Sequence, residues 1–305
     1  MNNDRIEHFK KKYGEAIIAN GLRLRPDDFI DEVEWRDAVD QHYTKIWLEF
    51  TYGGLYARRV LDERTRLLVA IAQFLTLNEM EEFERLLPCA LTAGATPREV
   101  LEVILQSTVY VGYVKAGRGA KVCIRVMKEL GRLHEITETQ MPLDGANGPR
   151  KLEDERPQWP QAESPEVAAL REKFIEKYGW GSMSTRLRLQ AHQGYETLQS
   201  FDRIDPHYLQ LWLDFIYGNM YTRGVLDDRT RLLMMVGICL AANEPVQLEN
   251  HLRGSLMQGA TPREVLEVIL NSTAIVGMPT TIMTRRMLEK VMEEDGRGGE
   301  LDLVS

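Results

Sequence analysis

Cysteine is scarce in this chain of 305 residues. Its three, Cys89, Cys123 and Cys239, are odd in number and match neither a CxxC pair nor a metal-ligand spacing. A disulfide framework and a structural zinc are therefore not expected, and a reducing, cytoplasmic setting is. Long apolar runs are also missing: the longest, Leu232 to Ala242, stops after eleven residues, well short of the roughly 20 that a bilayer crossing needs. The start, MNNDRIEHFKKK, lacks the apolar stretch of a secretory signal. No segment is dominated by lysine or arginine, and 46 acidic against 38 basic residues leave a net charge of −8. Neither nucleic acid nor membrane is an expected partner. What remains, 44% hydrophobic and 28% charged, is a globular, soluble composition.

The chain contains itself twice. GATPREVLEVIL stands at 94–105 and again, unchanged, at 259–270, an offset of 165. Extended without a gap, 42–112 and 207–277 agree at 39 of 71 positions. Weaker agreement reaches back to FKKKYG at 9 and FIEKYG at 174. A repeat of this size defines the domains before any local reading does. We expect a first repeat over 1–140, a linker over 141–165, rich in Pro, Gly and charge, and a second repeat over 166–305.

Within each repeat the periodicity is helical. Thr96-Pro97-Arg98-Glu99 and Thr261-Pro262-Arg263-Glu264 each place a hydroxyl at the N-cap, proline at N1 and glutamate at N3, a capping box. Val100, Ile104, Ser107, Thr108 and Val111 then share one face. Helices are expected at about 79–93, ending at Gly94, and at 64–77. An alternating run long enough for a strand appears nowhere, so the expected fold is all-α, two similar tandem helical bundles with short connections between antiparallel neighbours.

The motifs YGNMYTRGVLDDRTRLL (217–233), ENHLRGSLMQGATPREVLEVIL (249–270) and GMP (277–279) resemble the carboxymuconolactone decarboxylase family, which shares its helical fold with alkylhydroperoxidase D proteins. The resemblance covers about 90 residues of each repeat. It implies a small-molecule enzyme and an assembly built on trimers or hexamers. For a covalently joined pair that becomes a homotrimer with a pseudo-sixfold arrangement. The peroxidase branch of the family uses a CxxCxxxH helix. Aligning its histidine with His251 puts Glu244 and Gln247 at the two cysteine positions, and the first repeat has Glu79, Glu82 and Leu86 there. Dithiol peroxidase activity is not expected; the decarboxylase branch, which keeps the histidine, is the better match, with no cofactor and no metal.

Cofactor-free decarboxylation of a small lactone acid or oxygenated ring acid needs a cation for carboxylate, an electron sink in the substrate's carbonyl and a proton donor. Arginine binds carboxylates bidentately, which makes Arg223 and Arg231, with Arg58 and Arg66 in the first repeat, the candidate anchors. The alternative is pairing with Asp62, Glu63, Asp227 or Asp228. His251, with an ordinary pKa near neutrality, is the candidate proton carrier. Glu244 is a candidate acid or base at a former nucleophile position, or else a residue that opens its helix. Tyr217 and Tyr221 either touch substrate or pack in the bundle. A related isomerase or dehydratase using the same pocket, and a non-catalytic binding or scaffold protein, are the alternatives. The repeats differ where this matters: His251 faces Leu86, Tyr110 faces Ile275 and Thr222 faces Ala57. Either one site persists around His251, or composite sites form where the repeats meet.

Overall fold

The structure, a computed structural model, describes residues 2–142, 164–190 and 195–301. Among these residues every regular element is a helix or helical turn. The first repeat runs α1 (Asn2–Tyr13), α2 (Glu15–Leu24), α3 (Phe29–Val39), α4 (Gln41–Leu48), α5 (Glu63–Leu77), α6 (Met80–Thr92), α7 (Pro97–Glu129) and the short α8 (His134–Thr137). The second runs α9 (Pro165–Tyr178), α10 (Trp180–Gln190), α11 (Tyr195–Ile204), α12 (Pro206–Leu213), α13 (Asp228–Ala242), α14 (Pro245–Met257), α15 (Pro262–Val276) and α16 (Met278–Glu294). Most of the linker expected at 141–165 lies outside the described residues. Between α4 and α5, and again between α12 and α13, a π-turn (Glu49–Gly54, Asp214–Asn219) leads into a 3₁₀ turn (Leu55–Ala57, Met220–Thr222).

The helix boundaries follow from the predicted signals. Both capping boxes form: Glu99 N–H donates to Thr96 Oγ1 at 3.1 Å while Thr96 N–H donates to Glu99 Oε2 at 2.8 Å, and Thr261 with Glu264 repeats the pattern. Asn78 and Asn243 close the preceding helices in the left-handed conformation, with φ of 62° and 53°, a role asparagine fills with little cost. Gly112 and Gly277 share one geometry (φ 74° and 81°, ψ 167° in both), so α7 is kinked at the point where the second repeat divides into α15 and α16. A side chain there would be strained.

The two repeats form one core. Helices α5 and α13 pack on each other at its centre, flanked by α6 and α7 on one side and α14 and α15 on the other. The close approach uses Gly237: a Cβ there would stand 2.6 Å from Val69. Reciprocal ion pairs tie the repeats together. Arg223 Nε donates to both oxygens of Glu102 at 2.7 and 3.0 Å, and Arg58 Nε donates to Glu267 at 2.8 Å. These are equivalent positions with the repeats exchanged, the signature of a two-fold-like arrangement. Both carboxylates are fully buried.

Candidate active site

A cavity of about 490 Å³ opens in the first repeat, within the range of small-molecule sites. Tyr43, Ile46 and Phe50 line its outer part and are largely exposed. Trp47, Phe74, Leu67, Ala70 and Leu86 form apolar wall, and Ala274 and Ile275 contribute from the second repeat. Its polar groups include Arg25, Arg36, Arg66, Thr51, Tyr52, Tyr56 and Glu82. Tyr52 is held edge-on by Phe29, Trp47 and Tyr56 at centroid distances of 4.8, 5.5 and 5.7 Å. Burial raises the pKa of both Tyr52 and Tyr56, so both phenols stay protonated near neutrality and are available as donors.

The three arginines differ in how far they are compensated. Arg25 donates to Asp28 from Nε and Nη2 at 3.2 and 2.7 Å. Arg36 lies 4.6 Å from the Trp47 ring centre and donates to Glu32 at 3.0 Å. Arg66 is only 4% exposed, and its Nη1 donates to the Tyr56 carbonyl at 3.1 Å. Its Nε and Nη2 have no hydrogen-bond partner among the described residues. Burial lowers its pKa, against the opposing pull of Glu267 and Tyr56, yet a guanidinium keeps its charge at any physiological pH. Nε and Nη2 share one edge of the guanidinium, the edge that grips a carboxylate bidentately.

The equivalent Arg231 is saturated. Its Nε donates to Gln106 at 3.0 Å, Nη2 to the Leu226 carbonyl at 2.9 Å, and Nη1 to Asp228. Of the ion pairs expected from spacing, Arg231 with Asp228 forms. Arg58 and Arg223 pair instead with Glu267 and Glu102 of the opposite repeat. Tyr217 and Tyr221 are buried, donating to Gln190 at 2.9 Å and to the Met235 sulfur at 3.8 Å. Glu244 accepts from the N–H groups of Val246 and Gln247 at 3.2 and 3.5 Å, so it caps α14.

His251 has no exposed surface. Its Nε2 is hydrogen-bonded to the hydroxyl of Tyr110 from the first repeat, and its Nδ1 has no partner among the described residues. Burial lowers its pKa to about 4. The unfolded chain therefore takes up a proton below about pH 6.5 that the folded chain refuses until about pH 4. Stability is full above that window and falls as pH drops through it, by on the order of 2 to 3 kcal/mol at its lower end. Urea midpoints at pH 7 and 4.5 check this: wild type should lose more than His251→Gln, and equal losses would contradict it.

The sequence offers His251 as a proton carrier in the site, whereas the structure buries it completely and away from the first-repeat cavity; Tyr52, Trp47, Arg25 and Glu82 are cavity residues that sequence reasoning does not find. One signal was present. Gly21, against which the Phe29 ring packs so tightly that a Cβ would meet it at 1.9 Å, corresponds to Arg186, which is buried 5.0 Å from the Tyr195 ring centre. The three cysteines are buried and free, and burial raises their pKa to about 11 for Cys89 and about 12 for Cys123 and Cys239. They are thiols, not thiolates, at neutral pH.

A family model for carboxymuconolactone decarboxylases matches residues 41–122 and 206–290, more than half of the chain. The chain belongs to the carboxymuconolactone decarboxylase family. Among curated relatives, the 4-carboxymuconolactone decarboxylase of Acinetobacter baylyi is 27% identical over 105 residues, covering 34% of this chain and 76% of that protein. The nitrosuccinic acid decarboxylase of Metarhizium robertsii is 25% identical over 91 residues, 30% of this chain and 64% of that one. A crystal structure assigned as a gamma-carboxymuconolactone decarboxylase subunit of Burkholderia xenovorans superposes with a TM-score of 0.53 at 19% identity, over 92% of this chain and 97% of that one. At that identity it is the fold that is shared. Family membership accounts for the matching repeats, and decarboxylation is the activity named for both curated relatives.

Proposed function

We propose that the chain is a cofactor-independent lyase of the carboxymuconolactone decarboxylase type, acting on a small carboxylated lactone or oxygenated ring acid in the first-repeat cavity. The observation that carries this reading is Arg66: a buried cation lining the cavity whose Nε and Nη2, themselves buried, have no hydrogen-bond partner among the described residues. A guanidinium paired with the departing carboxylate would stabilise the ground state more than the transition state, in which that charge is leaving, and would slow the reaction. Arg66 therefore holds a second carboxylate or the carbonyl oxygen on which charge collects as carbon dioxide leaves. The apolar wall of Leu67, Ala70, Phe74 and Leu86 suits the departing group, whose charge is best lost away from water. Tyr52, Tyr56 or Glu82 returns the proton to carbon.

Release of carbon dioxide from carboxylated lactones by the purified chain tests this. Binding without release would favour the second reading, a ligand-binding protein descended from an enzyme. The observation on its side is Leu86, an apolar residue on the cavity wall at the family's histidine position. His251 with Tyr110 remains a distinct proton-transfer proposal, supported by their hydrogen bond across the repeats. His251→Ala should leave carbon dioxide release within about threefold of wild type if the first-repeat cavity is the site, and should abolish it if this pair is.

We also propose a homotrimer. Val39, Tyr43 and Ile46 are exposed, and so are their counterparts Ile204, Tyr208 and Leu211. Apolar side chains exposed at both equivalent places are what a ring of six similar units would cover. Light scattering should give three chains per particle; a monomer would contradict it.

A further inference from the structure

Glu102 and Glu267 each begin a short polar relay, and the two relays end differently. In one, Gln106 Nε2 donates to Glu102 at 2.9 Å, and Gln106 Oε1 accepts from Arg231 Nε at 3.0 Å. In the other, Asn271 Nδ2 donates to Glu267 at 3.1 Å, but Asn271 Oδ1 and Arg66 Nε, the two atoms that would close the relay, have no partner among the described residues. Asn271 and Arg66 both line a small void of about 20 Å³ beside the main cavity. Asparagine is one methylene shorter than glutamine, and position 271 corresponds to 106 at the repeat offset of 165. A second of the three acceptors differs as well: Asp228 pairs with both Arg231 and Arg188, whereas its counterpart Glu63 keeps only the pair with Arg23, the counterpart of Arg188, among the described residues.

We propose that Asn271 is a positioning residue for anion binding: by stopping one methylene short, it leaves the Arg66 edge free for a ligand's carboxylate, whereas Gln106 closes the same edge of Arg231. The inference rests on Arg66 as the anion anchor and adds what keeps that anchor available. It gives two repeats with the same arginine different expected capacities to bind an anion. The relevant ligand is a planar ring carboxylate, because the cavity combines a guanidinium whose Nε and Nη2 have no partner among the described residues with the rings of Trp47, Tyr52, Tyr56 and Phe74. A guanidinium already bound to a neutral amide must break that bond to accept an anion, and the bond resists exchange by a modest, measurable amount.

The test compares Asn271→Gln, Asn271→Ala and Arg66→Met in the full chain, with benzoate titrated calorimetrically and a crystal structure of the glutamine variant. The glutamine variant should place its amide oxygen within hydrogen-bond distance of Arg66 Nε and bind benzoate about tenfold more weakly than wild type, while Asn271→Ala stays within about threefold. A merely structural role for Asn271 predicts the reverse order, because alanine loses the bond to Glu267 that glutamine keeps. Equal binding by wild type and Asn271→Gln, or an amide that turns away from Arg66 in the crystal, would overturn the inference. If benzoate binding is absent from wild type or survives Arg66→Met, the anchor assigned to Arg66 falls and this inference with it. If Arg66→Met abolishes binding and Asn271→Gln does not weaken it, the inference alone fails.

Discussion

Replacing Arg66 by methionine should lower kcat/KM for decarboxylation by roughly 100- to 1,000-fold, equivalent to losing about 3–4 kcal/mol of transition-state stabilisation. The magnitude is that of removing one partner from a desolvated, bidentate charge pair. Arg66→Lys should recover little of it, since an ammonium cannot present two parallel N–H groups along one edge. The fold should tolerate either change, because in the protein itself only Nη1 of Arg66 donates a hydrogen bond among the described residues, to the Tyr56 carbonyl. Steady-state kinetics with matched circular dichroism melts measures both effects. A methionine variant within about threefold of wild type would remove Arg66 from the site. Arg231→Met should behave oppositely: it removes a fully buried partner from Gln106 and Asp228, leaving them Glu102 and Arg188, so its cost appears in stability.

The second large effect concerns the join between the repeats. Arg223→Ala leaves the fully buried Glu102 carboxylate with the amide of Gln106 as its one hydrogen-bond partner among the described residues, and removing one partner of a buried pair costs about 3–5 kcal/mol. Arg223 is itself partly exposed, which places the expected loss at the lower end, about 3 kcal/mol. Arg58→Ala should cost less, because Arg58 has the more exposed side chain of the two, 41% against 22%. Urea denaturation gives the comparison, and the double variant Arg223→Met with Glu102→Leu sharpens it. Removing both charges together should cost less than removing Arg223 alone, since no carboxylate is then left unpaired in the core. A double variant less stable than the single one would show that the pair is not what holds the carboxylate.

Much of this fold is legible in the sequence because its signals are local. Thr96 with Glu99 and Thr261 with Glu264 sit three residues apart and set where α7 and α15 begin. The repeat offset fixes which positions are equivalent without any knowledge of packing. Local spacing offers the pairing of Arg231 with Asp228 and the capping role of Glu244 only as alternatives to site roles, and these alternatives are the contacts that form. The partners of Arg58 and Arg223 are not legible, since Glu267 and Glu102 lie 209 and 121 residues away and it is the packing of α15 and α7 against the 3₁₀ turns of the opposite repeat that brings them close. The candidate site was obscured for a related reason. A motif histidine marks a position on a helix, but a cavity is a property of volumes from six or more elements, and at His251 those volumes leave no exposed surface. The difference between Asn271 and Gln106 is visible in the sequence as one substitution inside an otherwise identical stretch. Its consequence depends on how far each side chain reaches toward an arginine on another helix.

The claim that the first repeat holds the working site is tested most directly by a crystal structure of the full chain soaked with benzoate. The carboxylate should lie on the Nε and Nη2 edge of Arg66, with the ring among Trp47, Tyr52 and Phe74 and no equivalent density at Arg231. Density against His251 and Tyr110, with the first-repeat cavity holding none, would contradict it.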